Sequence, residues 1–173
     1  MAREVCQRGG IKAMLAGSIA SLGSHYAIHL DATNCATGET LAREQAEADS
    51  KEQVLTALGK GATGLREKLG ESLASIQRFD VPLEQATTSS LEALKTFSLG
   101  ETRRAAGLEP ESIAFYKRAV ELDPNFALAY ARLGTVYANI EEEEQAKAHK
   151  SKAFELRERV SEKERFYIES HYY

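Results

Sequence analysis

The sequence predicts an α+β fold: a small antiparallel three-stranded sheet with covering helices, followed by an all-α array of antiparallel helical hairpins. Three observations predict it. Between residues 11 and 48 apolar and polar residues alternate with a period of two, the pattern of half-buried strands. Two capping-box patterns, Ser50 with Gln53 and Ser89 with Glu92, then open stretches whose apolar spacing is helical. Finally, residues recur one period of 34 apart: Leu99 and Gly100 return as Leu133 and Gly134, Ser112 as Ala146, and Ala119 as Ala153. A period of that length marks a repeat architecture.

The chain has 173 residues, 43% hydrophobic and 28% charged, a globular balance with room for one ordinary domain or two small ones. A net charge of -4 argues against a dedicated nucleic-acid binder, which would carry a basic face. Arg3 and Arg8 ahead of the apolar run at residues 13–22 imitate a signal peptide, but Glu4 lies in the leader and no small-residue cleavage pattern follows. The run reads as a strand. It is also far short of the ~20 residues a membrane helix needs, so no membrane segment is expected in this chain.

Residues 1–8 read as the tail of a helix, with Ala2, Val5 and Cys6 on one side, stopped by Gly9-Gly10. From Ile11 a first strand runs to Gly23-Ser24. In the second, Tyr26, Ile28, Leu30 and Ala32 alternate with Ala27, His29, Asp31 and Thr33, whose polar face should meet solvent. A turn with Gly38 leads to a third strand at residues 40–48, completing a meander. The helix opened by Ser50 runs through Leu55, Leu58, Leu65 and Leu69 and should cover the sheet. Gly59, Gly61 and Gly64 each cost about 1 kcal/mol against Ala in a helix interior, which predicts a kink or fray there. Residues 1–70 form the first domain and residues 71–88 a connector, with a short helix at 73–78 and Pro82 after it. Repeats occupy residues 89–173, divided at about 93–126 and 127–160, with the start of a third at 161–173. Within them, two helical patterns meet at Asp123-Pro124-Asn125, where Pro124 fits the start of a helix.

The repeat resembles the tetratricopeptide repeat, whose pattern is matched by Tyr130, Leu133-Gly134, Tyr137, Ala146 and Ala153. Gly134 and Ala146 supply gaps where two helices approach; Tyr130, Leu133 and Tyr137 supply bulk. The closing proline is Pro124 in the first copy, while Glu158 stands there in the second. The first copy departs from the pattern at Thr96 and Arg103 and matches it at Tyr116, Ala119 and Pro124. The resemblance implies a groove that binds a peptide or a partner's helix, lined by Leu94, Phe97, Glu101 and Arg104, then Leu128, Ala131, Thr135 and Ala138. The carboxylate clamp of some members would fall on Phe97, Glu101 and Arg132 and is absent. Phe97, Leu128 and Ala131 imply either an apolar groove or packing on the next repeat.

A second resemblance covers the first domain. Gly17-Ser18, Gly23, the strand through Tyr26 to Ala32, Thr37-Gly38, Leu41 and the capped helix after Ser50 resemble the TolB amino-terminal-like domain, as it occurs in bacterial adenylate cyclases, membrane-bound transcription regulators and Ser/Thr kinases. Such relatives carry a further strand and helix ahead of this part, which makes a fragment or trimmed module the expectation. The resemblance implies a sensory or interaction module of a bacterial signalling protein, extracytoplasmic if part of a membrane-anchored kinase. The alternative is a cytoplasmic assembly scaffold or oligomerisation module.

Little enzyme chemistry is on offer. The run from Gly59 to Gly64 is a literal G-x-G-x-x-G with Asp80 beyond it, the basis for a nucleotide-binding enzyme, but a capped helix precedes it where a strand is required. His25 and His29 would lie ~13 Å apart along a strand, too far for one metal, and no third ligand joins His29 and Asp31. His149 and His171 sit on helices without evident partners, and Glu141 to Glu144 read as a solvated helix start. No cofactor or metal is expected. Cys6 and Cys35 fit no metal motif; they could pair as a disulfide or remain two half-buried thiols, and an extracytoplasmic address would favour the bond. At the other end, Phe166, Tyr167, Ile168, Tyr172 and Tyr173 want a cover, for which a homodimer through this C-terminal aromatic helix is one source.

Overall fold

The computed structural model describes residues 4, 6, 8–79, 82, 83 and 87–173. The chain divides into two compact units, Met1–Asp80 and Val81–Tyr173. In the first, β1 (Ala13–Leu22), β2 (His25–Asn34) and β3 (Thr40–Ala48) form an antiparallel sheet in the order β1-β2-β3. Gly23, at φ 69°, permits the tight turn between β1 and β2. The β2–β3 turn is held by the Asn34 side chain, whose Oδ1 accepts from the Ala36 and Thr37 amides at 2.8 and 3.1 Å. The register sets Leu15, Gly17 and Ile19 opposite Ala32, Leu30 and Ile28, which share a face with Ala42, Glu44 and Ala46 of β3. On the other face Arg43 Nε donates to Asp31 Oδ1 at 2.6 Å.

Helix α1 (Val54–Lys68), entered through a 3-10 turn at Lys51–Gln53, packs over β2 and β3. Leu65 joins Leu30, Ala32 and Ala42 in the core. The expected fray at the glycines does not occur: α1 is a continuous helix through all three. A Cβ on Gly61 would stand 3.4 Å from both Ala46 and Leu30, and one on Gly64 3.0 Å from the Glu44 carboxyl. These glycines let helix and sheet approach closely, and packing outweighs the propensity cost. The Ser50 cap also differs. Ser50 makes no side-chain bond to the helix amides, whereas Gln53 Oε1 accepts from the Asp49 amide at 3.3 Å, so the reciprocal box is incomplete. Helix α2 (Leu73–Phe79) follows, and Arg66 forks onto Glu71 through two 2.7 Å bonds, with Ser75 Oγ donating a third at 2.7 Å. The Arg66 and Ser75 bonds outweigh the opposing effect of burial and hold the Glu71 carboxyl down at about 2.

Ahead of the sheet Glu4, Cys6 and Arg8 are helical, while Ala2 and Val5 lie outside the described residues. Cys6 is joined to Cys35 by a disulfide with Cα atoms 5.8 Å apart. Cys35 had the strand parity of the polar face, yet it is buried: it lies just past the last residue of β2, where its amide turns to donate to the Lys12 carbonyl at 3.0 Å.

The second unit contains α3 (Leu91–Ala105), α4 (Glu109–Leu122), α5 (Ala127–Asn139), α6 (Glu143–Glu155) and α7 (Glu162–Tyr172). Helices α3 and α4 form one hairpin, α5 and α6 a second, and α7 packs on the second. One core holds Phe97, Tyr116, Phe126, Leu133, Val136 and Tyr137; the next holds Ala127, Ala131, Ala153, Leu156 and Ile168. The hairpins close where large meets small. A Cβ on Gly100 would lie 2.6 Å from Tyr116 Cε1, and one on Gly134 3.2 Å from the Ala146 carbonyl oxygen.

Two local expectations shift by a residue or more. Ser90, not Ser89, caps α3, its Oγ accepting from the Ala93 amide at 3.2 Å. Pro124 sits in the turn before α5, not in its first helical turn. There Asp123 organises the junction: Oδ1 accepts from the Asn125 amide at 2.9 Å and Oδ2 from Thr88 Oγ1 at 2.5 Å. One period later, where Glu158 stands for the missing proline, a 3-10 turn at Arg157–Arg159 makes the connection, and Arg159 reaches back to Asn125 Oδ1 at 2.7 Å.

Candidate functional site

The expected groove residues lie on α3 and α5, and side chains of α3, α5 and α7 meet at Glu101, Arg132 and Tyr167. The apolar ones are not free. Phe97 is 7% exposed, its ring 5.4 Å from Tyr116 and 4.9 Å from Phe126, and Ala131 is 3% exposed in the second core. Leu94 and Leu128 are half-buried against the first core. Of the two readings of these residues, packing on the neighbouring helices holds at Phe97 and Ala131. What the face offers is Glu101, Arg104, Thr135 and Ala138.

Glu101 is the hub. Its Oε1 accepts from Tyr116 Oη at 2.5 Å and stands 3.4 Å from Arg104 Nε and 3.0 Å from Arg132 Nε. The Arg132 contact is an ion pair that falls short of hydrogen-bond geometry. Burial pushes the Glu101 carboxyl up, but the Tyr116 bond and the Arg132 and Arg104 charges outweigh it and hold the group below its ordinary value. Burial and the Glu101 carboxylate together push the Tyr116 phenol well above its usual range, so it remains a donor. The hydroxyl, the carboxylate and the guanidinium groups hold one another in place across two helical hairpins.

The network continues onto α7. The Arg132 guanidinium lies 4.5 Å from the Tyr167 ring centroid, and Thr135 Oγ1 is 3.3 Å from Tyr167 Oη. Glu164 lies in the first turn of α7, with its Oε2 buried and without a hydrogen-bond partner. Burial pushes its carboxyl up to about 7, against a bond from Thr87 and the charge of Arg132. Past Thr135 the exposed Ala138 opens on a cleft of about 810 Å³ lined also by Glu141, Lys147, Lys150 and Tyr172.

Other candidates are not brought to this face. Gly59 to Gly64 lie within α1, where the backbone amides serve the helix and two glycines abut the sheet, so they form no phosphate-binding turn. Asp80 lies outside the described residues. His25 Nδ1 sits 3.2 Å from Asp49, and no cluster of metal-ligating side chains occurs among the described residues. His149 does have partners. It stacks at 5.4 Å and 6° on Tyr137 and at 6.0 Å on Tyr130, and burial, with Lys117 nearby, holds its pKa below the ordinary value. Among the C-terminal aromatics, Tyr167 packs on the second core and Tyr172 stacks on Phe154 at 4.1 Å, leaving Phe166 56% and Tyr173 95% exposed.

Sequence reasoning missed Tyr116, Arg132 and Tyr167 as one network, because their contacts join residues from three separate helices. The signal was present only at Arg132, the one charged residue of α5. No described helix is long and apolar enough to cross a membrane. The chain matches no curated protein and no solved structure. Residues 100–140, running from Gly100 through α4 and α5, match the TPR repeat family.

Proposed function

We propose that this chain is a non-catalytic protein-interaction module that holds a peptide or partner helix on the face shared by α3, α5 and α7. The TPR match supports interaction with protein. The observation that carries the face is the Glu101–Arg104–Arg132–Tyr167 network. Mixed charges in a fixed arrangement, partly exposed, beside an open cleft at Ala138, suit a polar segment that pairs with both signs of charge. With Phe97 and Ala131 buried, polar contacts rather than an apolar groove carry recognition on this face. The resemblance of the sheet unit to the TolB amino-terminal-like domain extends the reading to a sensory region of a bacterial signalling protein.

The test is affinity purification of the tagged chain from its source cells, comparing wild type with Ala138→Arg and Arg104→Glu and with Lys60→Glu on α1 as control. Partners lost from both face variants and kept by the control support the reading. An unchanged set of partners in both face variants overturns it.

A further inference from the structure

Among the described residues, half of the sheet's apolar face is left uncovered. Leu15 and Ile19 of β1 share a face with the buried Ile28 and Ala32, yet are 66% and 49% exposed, because α1 packs over β2 and β3. β1 is also an edge strand, paired only with β2 among the described residues. Its ten residues, AMLAGSIASL, hold no charge and no proline. The opposite edge differs: β3 carries Arg43, Glu44 and Glu47. Charges and prolines are what keep exposed edges from pairing. β3 has such protection and β1 has none.

We propose that β1 pairs antiparallel with β1 of a second copy of this chain, forming a six-stranded sheet about a two-fold axis at Gly17. The occupant of this edge must be an extended strand without charge, since a charged side chain on the α1 side would meet Leu15 and Ile19. β1 itself meets that requirement, and it is self-complementary in register. Residues directly opposite in an antiparallel pair point to the same face. With Gly17 on the axis, Leu15 faces Ile19 of the second copy, Ile19 faces its Leu15, and all odd-numbered residues stay on the α1 side. A shift by one residue would place inward residues against outward ones. The pairing gathers four apolar side chains into one cluster and gives the free backbone groups of the edge partners, as an isologous interface requires. Stacking the sheets face to face is disfavoured, because the outward side of α1 bears the exposed Lys60 and Glu67. The surface is distinct from the repeat face, so neither proposal depends on the other.

Sedimentation equilibrium of the whole chain at micromolar concentration, with hydrogen exchange at two concentrations, tests it. The expected result is a dimer whose β1 amides exchange more slowly as concentration rises. Ile19→Lys weakens the dimer by roughly tenfold or more, while Phe166→Lys on α7 leaves it intact. A monomer whose β1 exchange does not depend on concentration overturns the proposal, as does a dimer that survives Ile19→Lys or is lost in Phe166→Lys. Should Ile19→Lys fail to fold by circular dichroism, the concentration dependence of β1 exchange in the wild type decides alone.

Discussion

Gly107 and Glu141 occupy the same left-handed backbone position in successive repeats, at φ 78° and 64°. Each closes the first helix of its hairpin. The following amides, of Leu108 and Glu142, donate back to the carbonyls of Arg103 and Tyr137 at 3.0 and 2.9 Å, the bonding of a helix-terminating motif that favours glycine. Glu141 is the chain's one described non-glycine residue at positive φ, and it is exposed. Glu141→Gly is therefore expected to stabilise the second unit by about 0.5–1 kcal/mol, the left-handed strain relieved less the added freedom of the unfolded chain. A rise in denaturant midpoint at constant slope would show it; Gly107→Glu should do the reverse.

The two inter-helix glycines should respond unequally. At Gly100 an added methyl meets the ring of Tyr116, which is fully buried between Phe97 and Glu101 and has nowhere to go. At Gly134 the nearest atom is Lys150 Cγ, part of a flexible side chain, although the Ala146 carbonyl is also close. Gly100→Ala is expected to cost about 1–3 kcal/mol and Gly134→Ala less. Equal losses in urea titrations would mean that Lys150 cannot move aside.

Removing the Tyr116 hydroxyl tests the network at Glu101. Tyr116→Phe keeps the ring and takes away one charge-assisted bond, with an expected cost of about 1.5–3 kcal/mol. Glu101 then loses the largest influence holding its carboxyl down, so its titration, followed by carboxylate NMR, should move upward. No movement would show that Arg132 and Arg104 suffice.

Glu164 makes stability fall with pH. Its carboxyl is raised to about 7 in the fold, so between the ordinary carboxylate value and 7 the folded chain binds more protons than the unfolded one. That contribution is fully present below the ordinary value and is lost as pH rises through 7, by on the order of 3 kcal/mol. His149 acts oppositely: its lowered pKa means stability lost as pH falls below the ordinary histidine value. Glu164→Gln removes the first effect and leaves the second, so stability of the variant measured from pH 5 to 8 should no longer decline. A decline as steep as in wild type would assign it elsewhere.

The Cys6–Cys35 bond, 29 residues apart in sequence, should stabilise the first unit by about 3–4 kcal/mol through loop closure. Replacing both cysteines by Ser is expected to lower the unfolding midpoint of that unit, and a reductant should do the same to wild type. Indifference to both would show that the helical turn at Cys6 docks without the bond.

Local pattern determined the elements: the period-two alternation placed β1, β2 and β3 to within a residue or two, and the recurrence of Leu-Gly, Ala and Ala at one repeat spacing placed the hairpins of α3 to α6. Both are legible because side-chain direction in strands and helices repeats along the chain itself. Tertiary packing decided the rest. The glycines of α1 look like a helix fault until Ala46 and Glu44 lie beneath them, and Phe97 looks like a groove residue until Tyr116 and Phe126 close over it. Glu101, Tyr116, Arg132 and Tyr167 come from four helices, and the strand pattern that puts Leu15 and Ile19 on one face of β1 does not say whether that face is covered. Whether a residue is covered depends on which element arrives from elsewhere in the chain, and α1 arrives over β2 and β3.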